Sequence, residues 1–348
     1  MRSLWLDEDL DLAWREVPDA ELVDATDVIV APLAVARCDL DLSIALGLYP
    51  MPLPLAMGHE MAGEIVEVGD EVERWSVGDR VIVPFQVSCG RCDTCRDGHT
   101  NACTSVPVGS AYGFGPHGDL DVGGSLTERV RVPFADELLI AVPDGLDPVA
   151  AAGIPDNVSD GYRTVAGPMR DRPDSPVLVV GGAGQSVGLY AVAAAVALGA
   201  PAVLFLDHDD ERLRCAERLG AEVFDVRSVD DPKQVRAVTK PFGAAITVDA
   251  SGTDDGRTLA LTSARPCGHC TSVIGGAGGT DVLPLQTMYV KGMTYDISRV
   301  HARATAPEVL ELVSDGRLDP LAITHRVVDV DDAVEAMTAP DIKIIFRC

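Results

Sequence analysis

The chain is poor in lysine. Only four of its 28 basic residues are lysines (Lys233, Lys240, Lys291 and Lys343), against 54 acids and a formal net charge of −26. No basic cluster appears along it, so the electrostatic footprint of a nucleic-acid binder is missing. Such acidity fits a bacterial enzyme encoded by arginine-favouring codons, or a source with high internal salt, and both readings stay open. Long apolar runs are also missing. The longest, residues 189–200, is Ala-rich and falls short of the roughly 18–20 residues of a membrane span. The N-terminus turns acidic by Asp7, Glu8 and Asp9, with no apolar signal region or cleavage site, so cytoplasmic residence is expected. With no export signal, nine cysteines argue against a disulfide framework. Four of them fall between Cys89 and Cys103, which is a metal-binding pattern.

What is present is a two-domain globular composition: 348 residues, 47% hydrophobic and 24% charged. Residues 27–37 read as a buried strand leading to Cys38. Residues 61–70 alternate like a strand, and residues 77–84 read as a turn and a further strand. Closely spaced glycines complete the picture of a small β-barrel. From about residue 150 the pattern becomes strand, glycine-rich turn and Ala-rich helix, followed by alternating strands and helices. That order predicts a parallel sheet with helices on both faces. Residues 342–346 form a last strand that returns to the first domain.

Chemistry concentrates at three places. Cys38 and the Gly58-His59-Glu60 run supply thiolate and imidazole donors, with a carboxylate beside them, in a site kept open for a substrate. Cys89, Cys92, Cys95 and Cys103 lie on a polar loop and can wrap one tetrahedral zinc ion completely. Four protein ligands leave no room for substrate, so that ion is structural. The third place is the turn carrying Gly182, Gly184 and Gly188, with Gln185, Ser186 and Val187 between the last two glycines. Strand before and helix after let backbone N–H groups and the helix N-terminus meet a pyrophosphate. Asp207 ends the next strand, placed to bind a ribose diol and repel a 2′-phosphate, which favours NAD(H). Cys267-Gly-His-Cys270 is read as buried and inert.

Taken together these residues resemble the zinc-dependent medium-chain dehydrogenase/reductase family, the alcohol and polyol dehydrogenases. The match spans nearly the whole chain and includes the closing helix with Ser314-Asp-Gly-Arg-Leu-Asp-Pro. The resemblance implies an α/β chain: a GroES-like β-barrel catalytic domain at 1–149, completed by 296–348, and a Rossmann NAD-binding domain at 150–295. It implies a zinc-assisted hydride transfer between an alcohol or carbonyl substrate and NAD(H), two zinc ions per chain, and a homodimer or homotetramer. By position it makes Asp156 the third protein ligand of the catalytic zinc, beside Cys38, His59 and nearby Glu60. Asp41 resembles the carboxylate that orients the zinc-bound histidine, and Phe85 a substrate-pocket residue.

One departure matters. The residue two after the catalytic cysteine usually carries a hydroxyl that relays the substrate proton; here it is Leu40, which has none. Asp160 falls where relatives carry a hydroxyl near the nicotinamide and is the expected replacement, with Ser43, His301 and metal-bound water behind it. The altered relay leaves two other readings open: an enzyme of a specialised natural-product intermediate, and an NAD-binding relative that has lost turnover. The substrate is not identified by these residues. The apolar stretch Leu48, Tyr49, Met51, Leu53 and Leu55 favours one of medium size without strong charge.

Overall fold

In the computed structural model, residues 1–228, 243–275 and 281–348 are described. They form two compact units. One comprises Met1–Ser159, Val300–Ser314 and Thr324–Cys348; the other comprises Asp160–Arg299 and Asp315–Ile323. The division comes ten residues later than the change in composition suggested. The helix Pro148–Ala151 and the turn Ile154–Val158 pack on strands of the first unit, which holds them there. Residues 315–323 join the second unit, where Pro320 accepts a hydrogen bond from the Tyr190 hydroxyl at 3.1 Å.

In the first unit, a seven-stranded sheet is built around the strand Val28–Ala36, whose near-continuous apolar run is suited to a centre flanked on both sides. It pairs antiparallel with Glu60–Val68, with Ala36 opposite Glu60. Pro32 lacks an N–H for the ladder, and the register shifts beside it. Gly63 lies opposite, where a Cβ would meet the Ala31 carbonyl oxygen at 2.6 Å. On its other side Val28–Ala36 pairs antiparallel with the C-terminal strand Ile344–Arg347, so the chain's last strand does return to this unit. A three-stranded sheet (Leu12–Glu16, Arg2–Leu6 and Leu55–Ala56) contributes Leu4, Leu6 and Leu55 to the same core as Val28, Val35, Met61, Val81 and Phe346.

Among the described residues, the second unit carries six parallel strands. Numbered in chain order, β1 is Val177–Val180, β2 Val203–Asp207, β3 Glu222–Asp225, β4 Ala244–Asp249, β5 Ala264–Ser272 and β6 Thr294–Ile297. Their spatial order is 3-2-1-4-5-6, the doubly wound arrangement that reverses between β1 and β4. The glycine-rich turn leaves β1 at that switch point and leads into the helix Gln185–Ala197. Cys267 and Cys270 lie within β5. Cys270 is buried as expected, but Cys267 is exposed.

Candidate active site and cysteine cluster

Strand pairing brings the first site together. Cys38 follows the end of Val28–Ala36, and His59 immediately precedes its antiparallel neighbour Glu60–Val68. Phe85 lies two residues beyond Arg80–Val83, whose Val83 pairs with Met61, so it arrives at the same sheet end. Lys343 precedes Ile344–Arg347 and arrives there from the other side. Residues far apart in the chain therefore converge because their strands end together.

Cys38 caps the helix Asp39–Ala45. The Leu40 N–H donates to Cys38 Sγ at 3.4 Å, and the Cys38 N–H donates to Asp41 Oδ2 at 3.0 Å. The other Asp41 oxygen lies 3.2 Å from His59 Nδ1, a contact bent away from the line of a good hydrogen bond. Asp41 thus serves the helix cap with one oxygen and orients the imidazole with the other. This leaves His59 Nε2 facing inward, 3.3 Å from Asp156 Oδ2.

Asp156 sits on a one-turn π-helix, Ile154–Val158, between two α-helices. Wide turns of this kind recur at functional sites. Its Oδ2 receives the Cys38 thiol at 3.3 Å, so its carboxylate reaches across the site instead of capping a helix. The ligand atoms of Cys38, His59, Glu60 and Asp156 all lie within 4.8 Å of one another, and all four residues are buried.

The donor set fits a divalent cation. Burial, together with the Asp156 charge, pushes the Cys38 thiol well above its ordinary pKa. Burial lowers the His59 pKa, but Asp41, Cys38 and Asp156 outweigh it and raise it. Burial raises Asp41, and the His59 charge together with hydrogen bonds from His59 and the Cys38 N–H more than reverses that, leaving it lowered. Acid groups crowded around one imidazole in a dry site are stabilised by a metal, and thiolate, imidazole and carboxylate are donors that zinc accepts.

Glu60, expected near the metal, also has another partner. Lys343 Nζ donates to its two oxygens at 3.0 and 2.8 Å, and both side chains are fully buried. Burial pushes Glu60 up to about 8 against the lowering effect of Lys343. Lys343 donates as well to Asn157 Oδ1 at 2.7 Å. The sequence reading missed Asn157 and Lys343. The only signal for either was that Lys343 is a rare lysine inside an apolar strand. The Phe85 ring lies 5.4 Å from that of His59. Phe114 forms the matching wall at 5.1 Å.

The four-cysteine cluster is local. Cys92 caps the short helix Asp93–Arg96, and Cys103 ends the turn Thr100–Ala102. The sulfurs of Cys89, Cys92, Cys95 and Cys103 lie within 4.8 Å of one another. Backbone N–H groups of Arg91 and Cys92 donate to Cys89 Sγ at 3.4 Å, and the Cys89 N–H donates to Cys103 Sγ at the same distance. Such donors stabilise thiolates, as a tetrathiolate metal site requires. Hydrogen bonds from Thr104 take Cys92 down to about 5.

In the second unit, the turn packs against the segment after β4. A Cβ on Gly182 would stand 2.5 Å from the Ser251 carbonyl oxygen, and one on Gly188 would stand 3.2 Å from the Ala250 Cβ. The helix opens at Gln185, Ser186 and Val187 with no side-chain cap from Gly184. Gly181, missed in the sequence, is as constrained: a Cβ there would meet Asp207 Oδ2. Asp207 is buried and paired. Arg212 Nε and Nη2 each hold one of its oxygens at 2.7 Å, a basic partner that the sequence reading did not name. Asp160 opens the second unit, and its Oδ1 accepts from Arg163 Nε at 2.5 Å.

The chain is similar to known zinc-binding dehydrogenases. Residues 24–144 match the family described as alcohol dehydrogenase GroES-like domain, and residues 186–315 match zinc-binding dehydrogenase. A probable zinc-binding alcohol dehydrogenase of Mycobacterium tuberculosis is 31% identical over 336 residues, covering 96% of this chain and 84% of that protein. Sorbitol dehydrogenase of Bacillus subtilis is 28% identical, covering 92% of this chain and 87% of that protein. The solved alcohol dehydrogenase TADH from Thermus sp. ATN1 superposes with a TM-score of 0.91 at 30% identity, covering 100% of this chain and 99% of that one.

Proposed function

This chain belongs to the zinc-dependent medium-chain alcohol and polyol dehydrogenase family, and from that premise we propose an NAD(H)-dependent oxidoreductase that interconverts an alcohol and its ketone or aldehyde. The observation that carries the reading is Asp156 Oδ2 lying 3.3 Å from both Cys38 Sγ and His59 Nε2 in a buried, acid-rich site. Cys38, His59 and Asp156 would hold one zinc ion, and Cys89, Cys92, Cys95 and Cys103 a second. Zinc at the first site supplies Lewis-acid polarisation of the substrate oxygen, and the nicotinamide supplies the hydride acceptor or donor.

The side chains divide the remaining work. Asp41 fixes the His59 ring, and Lys343 holds Glu60 in place. Phe85 and Phe114 wall the imidazole with apolar rings and keep water from it. Leu40 has no proton to pass on, so we assign proton transfer to Asp160, steadied by Arg163. Gly182, Gly184, Gln185, Ser186, Val187 and Gly188 cradle the cofactor pyrophosphate, with Asp207 directed to its ribose. The apolar loop of Leu48, Tyr49, Met51 and Leu53 favours an uncharged, medium-sized substrate. A homodimer is the assembly we favour. Among the described residues β6 has no strand beyond it, and Tyr289, Val290 and Ile297 are exposed nearby.

Metal analysis combined with an alcohol and ketone screen by NADH absorbance tests the reading. Two zinc ions per chain are expected, with NAD-dependent turnover that Cys38→Ser abolishes together with one zinc. One zinc ion per chain, unchanged by Cys38→Ser, would sink it.

A further inference from the structure

We propose that Asn157 is a positioning residue of the metal cluster: its amide ties the Cys38 sulfur and the Asp156 carboxylate to the buried Lys343 ammonium and reduces the electron density those two donors give a metal. The inference rests on the zinc reading above and deepens it by naming a group that tunes two of the site's donors.

The orientation of the amide follows from its neighbours. An ammonium can only donate, so the atom 2.7 Å from Lys343 Nζ is the carbonyl oxygen Oδ1. The NH2 group then faces the opposite way, 3.2 Å from Cys38 Sγ and 3.0 Å from Asp156 Oδ2. Its two hydrogens suffice for these two contacts. Asp156 Oδ2 is the same oxygen that faces Cys38 Sγ and His59 Nε2, so Asn157 touches the atom best placed to bind a metal. The π-turn Ile154–Val158 allows two successive residues to reach one sulfur.

The environment makes these contacts strong. Asn157 is 2% exposed and Lys343 fully buried, so little water competes. The ammonium also donates to both oxygens of Glu60, which fixes its place, and its charge polarises the amide toward stronger donation. A hydrogen bond to a thiolate withdraws electron density from sulfur, as the hydrogen bonds around copper and iron–sulfur thiolates do. On the imidazole side the carboxylate of Asp41 acts in the opposite sense, making the ring a better donor. The cluster thus carries one device that strengthens a ligand and another that weakens two.

The test uses the full-length protein with cobalt(II) in place of zinc. Cobalt thiolates give a charge-transfer band whose energy reports the electron density on sulfur. The spectrum of Cys38→Ser, subtracted from each of the others, cancels the four-cysteine cluster and leaves the band due to Cys38. That band is expected to move to longer wavelength in Asn157→Leu, which keeps the number and branching of the side-chain heavy atoms. It should move likewise in Asn157→Ala, which serves if leucine does not fit. A Cys38-dependent band that stays in place in both folded, cobalt-loaded variants overturns the role of Asn157 and leaves it a packing residue. Absence of any Cys38-dependent band in the unsubstituted protein overturns the metal reading itself, and the proposal with it.

Discussion

The two cysteine-bearing clusters are built in opposite ways. Cys89, Cys92, Cys95 and Cys103 come from one loop, use one kind of donor, and draw their hydrogen bonds from the backbone and hydroxyl groups of that loop. Cys38, His59 and Asp156 come from three separated segments, use three kinds of donor, and are held by side chains: Asp41, Asn157 and, through Asn157, Lys343. A cluster that carries its own scaffold can serve as a staple anywhere on a surface. One assembled from strand ends exists only when the whole sheet is formed, and its donors can be tuned one at a time. The first design suits a structural ion and the second a reacting one.

The largest expected effects separate these roles directly. Cys38→Ser should lower turnover by about three orders of magnitude or more, ~4 kcal/mol in the barrier, with little change in the unfolding midpoint. Cys95→Ser should do the reverse, lowering the midpoint while turnover per folded molecule stays near wild type. Steady-state kinetics and thermal melts on both variants decide the matter, and identical behaviour of the two would erase the contrast. Next in size is the scaffold of the mixed cluster. Lys343→Met leaves Glu60 buried and uncompensated, at a cost of about 3–5 kcal/mol by denaturant titration. The double variant with Glu60→Gln should recover much of that loss. A single-variant loss near zero would show that the pair is not buried in solution. Asp160→Asn should reduce turnover about 100-fold and flatten its pH dependence. An unchanged profile would return the proton to Ser43, His301 or water.

The contrast also explains what could be read in the sequence. The cysteine loop was legible from spacing alone, because all its donors lie within fifteen residues. The glycine-rich turn after β1 was legible because strand, glycines and helix are contiguous. The mixed cluster was not, since nothing local joins Cys38 to Asp156; resemblance to a family supplied that link. Three acids singled out in the sequence prove to have basic partners. Asp160 pairs with Arg163 at the i,i+3 spacing of one helix, which the sequence shows, whereas Asp207 at the end of β2 pairs with Arg212 in the helix that follows. Glu60 pairs with Lys343 across 283 residues, which only the antiparallel pairing of the last strand brings together.

The smallest predicted effect concerns the pairing of Asp207, and it carries the same lesson to the cofactor. A lone carboxylate at the end of β2 would repel a 2′-phosphate strongly. Here Arg212 holds both oxygens at 2.7 Å, and the backbone N–H groups of His208 and Asp209 donate to Oδ1 as well. A guanidinium that close offsets much of the repulsion, so the preference for NAD over NADP should be modest. Asp207→Ser removes the acid and releases Arg212 toward an incoming phosphate. The ratio of kcat/KM values for NAD and NADP should then fall about tenfold, equivalent to ~1.4 kcal/mol. Arg212→Leu should shift the ratio the other way, because the acid loses its counter-charge. If neither substitution moves the ratio, the pair only braces the turn at Gly181, and cofactor choice is made elsewhere.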